Sequence, residues 1–102
     1  MEEVKIIGLK DGNLEIALSG DIDLSNAEAF YQDVMAAYKR ESANLTFDCE
    51  KLNFIDSTTL GTFVKILKVA KTDGKCMKLV KLQPKIKKLF LICSLNTIME
   101  IE

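Results

Sequence analysis

The chain has 102 residues, 48% of them hydrophobic, and a formal net charge of −1. That is the size of one ordinary domain with apolar material for a full core, and no run approaches the ~18 apolar residues of a membrane span. The absence of histidine excludes Ser-His-Asp and Cys-His nucleophile pairs and the usual zinc sets, while Cys49, Cys76 and Cys93 are odd in number and too scattered for a disulfide framework.

Met1-Glu2-Glu3 is acidic and runs into strand-like residues, so no secretory leader is expected and the protein is expected in the cytoplasm. Val4 to Leu9 and Leu14 to Leu18 are apolar runs separated by Asp11-Gly12-Asn13, which predicts a hairpin with a tight turn. Gly20-Asp21-Ile22-Asp23-Leu24 leads to Ser25 or Asn26, either a good helix cap. Ala27, Phe30, Tyr31, Val34 and Tyr38 then recur at helical spacing.

Leu45, Phe47 and Cys49 predict a third strand, and residues 57–72 a second helix with Leu60, Phe63, Val64, Leu67 and Ala70 on one side. Thr72-Asp73-Gly74 is its stop signal, with Gly74 suited to the left-handed position after a helix. Cys76 to Leu82 predicts a fourth strand. Pro84 fits the first turn of a third helix, whose inward face is expected to carry Ile86, Leu89, Phe90 and Cys93. Thr97 to Ile101 is expected to close the sheet. Strands alternating with helices after an initial hairpin imply an α/β fold, a mixed but mostly parallel sheet with right-handed crossovers. Binding sites in such folds sit in loops beyond the strand carboxyl ends, here residues 20–25 and 54–61.

The charge is uneven along the chain. Residues 1–50 carry eleven acids and four bases, and residues 51–102 four acids and ten bases. The simple reading is solvated outer helix faces; the sharper one is a basic surface for an acidic partner, nucleic acid or anionic lipid. Phe63 and Phe90 fall on apolar stripes rather than among the lysines, so no direct nucleic-acid contact is expected. The cysteines are expected to be buried and reduced, and Tyr31, Tyr38, Phe47 and Phe54 to belong to the core or its edge.

The most informative stretch is Phe54-Ile55-Asp56-Ser57-Thr58-Thr59-Leu60-Gly61. It reads as the end of a buried strand, then a turn, then a helix whose cap falls at Asp56 or Ser57. A hydroxyl there is exposed, and the positive end of the helix favours a phosphate nearby. On these residues alone, an ordinary cap is the better explanation of the motif than a modified serine, since most such caps carry no phosphate.

The loop resembles the phosphorylation loop of the STAS-domain anti-sigma factor antagonists, roughly Asp-Ser-Ser/Thr-Gly-Leu-Gly, with Thr59 standing where that pattern has its first Gly. Gly20-Asp21-Ile22-Asp23-Leu24 is similar to the family's early Gly-x-Ile/Leu-Asp segment, and Pro84-Lys85-Ile86-Lys87-Lys88-Leu89-Phe90 to its third helix. The resemblance covers nearly the whole chain and implies a single STAS domain over residues 1–102 with an N-terminal hairpin and three to four helices.

The resemblance implies that the unphosphorylated protein binds an anti-sigma factor that is also a serine kinase, and so frees the sigma factor. Phosphorylation on Ser57 then ends binding, and a Ser/Thr phosphatase resets the cycle. Thr58 and Thr59 are weaker candidate acceptors. Asp23, Asp56, Ser57, Thr58, Thr59 and Gly61 would face the partner, with no catalytic residue, metal or cofactor. Asp23 also has a purely structural reading at the helix start. Thr59 either lies in regular helix or marks a loop that has lost its fit to a kinase, which leaves a non-phosphorylated docking subunit of a sensor or lipid-transport assembly as the alternative. Gly61 either permits close packing or partner approach, or is an ordinary helix glycine.

Overall fold

Asp11 and Gly12 both adopt left-handed backbone, with φ of 53° and 80°. That pair of dihedrals is the hairpin turn whose twist matches its strands. It joins β1 (Val4–Lys10) antiparallel to β2 (Asn13–Ile22) in a computed structural model that describes residues 1–102. The chain continues through α1 (Ala27–Arg40), β3 (Asn44–Ile55), α2 (Ser57–Thr72), β4 (Met77–Val80) and α3 (Pro84–Ile92). A short 3-10 turn (Leu95–Thr97) and β5 (Glu100–Ile101) complete it.

The sheet order is β1-β2-β3-β4-β5, with every neighbour pair after the hairpin parallel. Strands laid down in sequence order by right-handed crossovers place all the helices on one face. That face carries Leu14, Ile16 and Leu18 of β2, Leu45, Phe47 and Cys49 of β3, and Met77 and Leu79 of β4, all buried in one cluster with the inward residues of the helices. The opposite face, with Glu15, Ser19, Thr46, Asp48 and Lys78, is only partly covered.

Phe63 of α2 is the hub of the core. Its ring lies 5.1 Å from Phe30 of α1, 5.5 Å from Phe47 of β3 and 5.4 Å from Phe90 of α3, each pair edge to face. Such pairs contribute about 0.5–1.5 kcal/mol each beyond their buried area. They fix α2, and with it the loop before it, against three other elements. The far end of α2 closes as predicted: Gly74 has φ of 72°, Gly74 N–H donates to the Lys71 carbonyl and Lys75 N–H to that of Ala70. This paired motif satisfies carbonyls that the helix leaves open.

Several expectations are corrected. β2 continues through Ile22, so the loop expected at 20–25 spans only 23–26. β4 is shorter than Cys76 to Leu82, and the closing strand is two residues long because Leu95–Thr97 coil into a 3-10 turn. In α3 only Ile86 and Phe90 are buried; Leu89 and Cys93 point outward, since the nine-residue helix presents just its i, i+4 pair to the core. Cys76 is exposed too, leaving Cys49 as the one buried thiol.

The remaining correction concerns the strand leading to the candidate site. The register between β2 and β3 shifts twice, between Ala17 and Ser19 and between Gly20 and Asp21, each time with an extra residue on β3. These bulges bend the strand and break its two-residue alternation. Leu52 and Ile55 therefore turn inward, while Phe54, expected in a buried strand end, is 49% exposed.

Candidate functional site

Asp56, not Ser57, caps α2. Its backbone is extended (φ −116°, ψ −175°), and its Oδ1 accepts the Thr59 N–H at 3.0 Å. Ser57 is therefore the first helical residue, and its exposed side chain is not the cap. The cap carboxylate has a second task. Its Oδ2 accepts the amide of Leu24 at 2.9 Å, tying the β2–α1 loop to the start of α2. The Thr59 amide above all, then the Leu24 amide and the Thr59 hydroxyl, hold the Asp56 carboxyl below the usual carboxylate range, against the opposing effect of partial burial.

Thr59 lies beneath this clamp. It is 0% exposed, the one polar residue in the core, and its hydroxyl donates to the Ile22 carbonyl at the end of β2. Thr59 Oγ1 also lies 3.0 Å from Asp56 Oδ1. The expectation that Thr59 faces a partner is thus corrected: its position, one helical turn before Phe63, aims it inward. Its hydroxyl joins β2, β3 and α2 where a glycine would leave the Ile22 carbonyl without that donor.

Asp23 organises the neighbouring loop. Its Oδ1 accepts the Ser25 amide at 2.9 Å, and its own N–H donates to Asn26 Oδ1 at 2.8 Å. Asn26 Nδ2 reaches back to the Asp21 carbonyl at 2.9 Å. Asn26 does occupy the cap position of α1, but its side chain serves the loop before it rather than the helix amides. The Asp23 side chain thus serves the loop rather than the amides of α1, and the residue remains half-exposed beside Leu24. Asp21 is exposed near the carboxyl end of β2.

Ser57, Thr58 and Gly61 share the outward face of the first turns of α2, where residues three and four apart lie one above another. A Cβ built on Gly61 meets nothing within 4 Å, so close packing inside the domain does not explain this glycine. Further along the same helix, Lys65 Nζ stands 4.1 Å from the centre of the Tyr31 ring on α1. Sequence reasoning missed Leu24, which is 75% exposed, and the outward turn of Phe54. The first was legible as a leucine in a polar loop; the second depends on bulges that no alternation pattern reveals.

No group of three or more His, Cys, Asp or Glu side chains is placed to hold a metal ion. No helix is long and apolar enough to cross a membrane. What the site offers is two adjacent exposed hydroxyls, Ser57 and Thr58, at a helix start whose cap is the Asp56 carboxylate.

Known proteins share this fold. The STAS domain family model matches residues 6–102. An anti-sigma-B factor antagonist of Bacillus subtilis (strain 168) is 28% identical over 91 residues, spanning 89% of this chain and 83% of that one. The crystal structure of TM1081 from Thermotoga maritima superposes with a TM-score of 0.78 at 25% identity, covering 96% of this chain and 82% of that one. The phosphorylated form of the Bacillus cell fate determinant SpoIIAA superposes with a TM-score of 0.74 at 18% identity, covering 97% and 90%. The hairpin, the ordered sheet with its helices on one face and the family match together make this chain a member of the STAS domain family.

Proposed function

We propose that the protein is an anti-sigma factor antagonist that works by binding, in the cytoplasm, and is switched by phosphorylation of Ser57. The observation that carries this reading is the placement of Ser57: an exposed hydroxyl at the first position of α2, next to a cap that another residue already supplies. Modification there leaves the fold's own hydrogen bonds intact. The name of the Bacillus subtilis relative and the phosphorylated state of SpoIIAA support the same role.

The proposed cycle has two binding states. Unmodified, the face around Ser57 docks on an anti-sigma factor that is also a serine kinase, and the sigma factor is released. The kinase then transfers the γ-phosphoryl group of ATP: a Ser57 Oγ–P bond forms, the bond to the bridging oxygen of ADP breaks, and the hydroxyl proton passes to a base of the kinase. A Ser/Thr phosphatase removes the phosphate by hydrolysis.

The charge introduced is close to two units. Because Asp56 already holds the Thr59 amide, the helix start is partly neutralised, and the new dianion projects its field outward beside Asp56 and Asp23. A partner surface docked there meets both repulsion and a desolvation cost. A coupling of about 1–3 kcal/mol changes affinity roughly 5- to 150-fold. The burial of Thr59 supports this reading, since its side chain leaves the outer surface of the helix start to Ser57 and Thr58.

Incubation with the cognate anti-sigma factor and ATP tests the proposal by intact mass. The wild type is expected to gain one phosphate and Ser57→Ala none. A gain of mass in Ser57→Ala moves the site, with Thr58 the next acceptor. No gain in the wild type favours the docking-subunit alternative.

A further inference from the structure

Two large apolar residues lie on the segments that meet at the start of α2, in positions that the core does not require. Leu24 is the most exposed large apolar residue of the chain at 75%, and Phe54 is 49% exposed. Single exposed apolar residues are normal. These two differ in being carried by backbone that is tied to the start of α2. Leu24 has its amide bonded to Asp56, and the loop carrying it is fixed on both sides by the Asp23–Ser25 and Asp23–Asn26 hydrogen bonds. Phe54 is paired with Asp21 on the bulged end of β3, two residues before Asp56. A side chain presented from fixed backbone spares the cost of ordering the loop on binding.

We infer that Leu24 and Phe54 are the apolar anchors of the docking face around Ser57, and that they fit an apolar pocket on the anti-sigma factor kinase. This rests on the phosphorylation reading above. The occupant follows from continuity with the acceptor. A protein that brings a γ-phosphate to Ser57 Oγ covers the surface around it, and a standard interface buries about 800 Å² per partner, a disc of roughly 16 Å radius. Leu24, whose amide bonds the residue next to Ser57, lies within that disc, and so does Phe54. Buried aromatic and aliphatic anchors at the centre of such a disc carry most of the binding energy, while the surrounding contacts exclude water.

The same placement accounts for the switch. A phosphate on Ser57 puts a dianion at the edge of an apolar contact, where closing the interface strips its water without supplying a partner. Gly61, with open space beyond its Cα, lets the partner's surface come close to the helix between the anchors and Lys65.

Calorimetric titration of the full chain with the purified anti-sigma factor tests this. Leu24→Ser and Phe54→Ser are each expected to weaken binding about tenfold or more, with unchanged thermal unfolding. In phosphotransfer, both are expected to raise KM for the protein substrate and leave kcat unchanged. Ile92→Ser, at the carboxyl end of α3 and 68% exposed, between the two anchors in exposure, is expected to leave binding unaltered. Wild-type affinity in the Leu24→Ser/Phe54→Ser double variant, with binding still lost in Ser57→Asp, overturns the anchors and leaves the phosphorylation reading standing. Failure of the wild type both to bind and to gain phosphate overturns both. A wild-type dimer that Leu24→Ser converts to a monomer reassigns the pair to a contact between copies and overturns the inference as well.

Discussion

The carboxylate of Asp56 accepts the backbone amide of Leu24 across 2.9 Å while its other oxygen caps α2 through Thr59, so one side chain locks together the two loops at the carboxyl ends of β2 and β3. The cap and the clamp are separable. Asp56→Asn keeps an oxygen for the Thr59 amide but presents an NH₂ group, a donor, to the Leu24 N–H. Hydrogen exchange at the Leu24 amide is therefore expected to accelerate in Asp56→Asn with little loss of thermal stability. Asp56→Ala loses both bonds, and its Tm is expected to fall by roughly 5 °C. Because the folded carboxyl titrates below its ordinary value, the clamp's contribution is present above that value and is lost as pH falls through the lowered one. Equal Leu24 exchange in wild type and Asp56→Asn would show that the second bond does not hold the loop.

Thr59 makes a second prediction. Thr59→Val keeps the shape of the side chain and removes the hydroxyl that serves the Ile22 carbonyl. Loss of a buried donor costs about 1–3 kcal/mol, so chemical denaturation should show a stability loss of that order. Thr59→Ser, which retains the hydroxyl, should lose distinctly less, and phosphotransfer to Ser57 should survive in both. Thr59→Gly, which restores the family's usual residue, should be less stable than the wild type, because this chain has come to use the hydroxyl. A Thr59→Val variant as stable as the wild type would assign the hydroxyl no structural role.

Much of this was legible in the sequence, and the misses have physical causes. The hairpin turn, the cap region at Asp56, the Gly74 stop and the Pro84 start all rest on local backbone chemistry that a few adjacent residues determine. Thr59 was misplaced because the apolar stripe of α2 was begun at Leu60. Counting back from Phe63 by one turn reaches Thr59, but a polar residue in that row reads as surface. Phe54 was misplaced because two bulges on β3 depend on pairing with β2, which is a property of the sheet rather than of the strand. The outward turn of Cys93 and Leu89 likewise depends on how little of a short helix reaches the core.

Burial separates the three thiols chemically. Burial first, and then the neighbouring Asp48 carboxylate, push the Cys49 thiol up to about 12, whereas Cys76 and Cys93 are exposed. Alkylation of the native protein at pH 8 is expected to add two groups, with the third added only after denaturation. Tyr38, buried and donating to Asp73 at 2.7 Å, is also pushed up to about 12. Both groups keep protons in the fold that the unfolded chain releases from about pH 9 upward. Their contribution to stability is complete below that pH and is lost as pH rises through the folded values near 12. Unfolding free energy should therefore decline across this range, and Tyr38→Phe should remove its share of the slope. Alkylation of Cys49 at the rate of Cys76 in the native protein would contradict its place in the core.

Gly61 offers a test in which stability and function move in opposite directions. It lies inside α2, is exposed, and has open space where a Cβ would sit. An interior helix glycine costs about 0.8–1.0 kcal/mol relative to alanine, so Gly61→Ala should stabilise the domain by about that amount. Nothing in the domain's own packing opposes the change. Either Gly61 is an ordinary helix glycine or, on the proposed docking reading, it makes room for the partner, and a side chain at this point would then stand between the partner and the helix. Gly61→Ala is expected to weaken binding of the anti-sigma factor several-fold, and a bulkier Gly61→Leu much more, while both variants unfold at or above the wild-type temperature. Full affinity in Gly61→Leu would place the docked surface elsewhere and leave the glycine without a functional account.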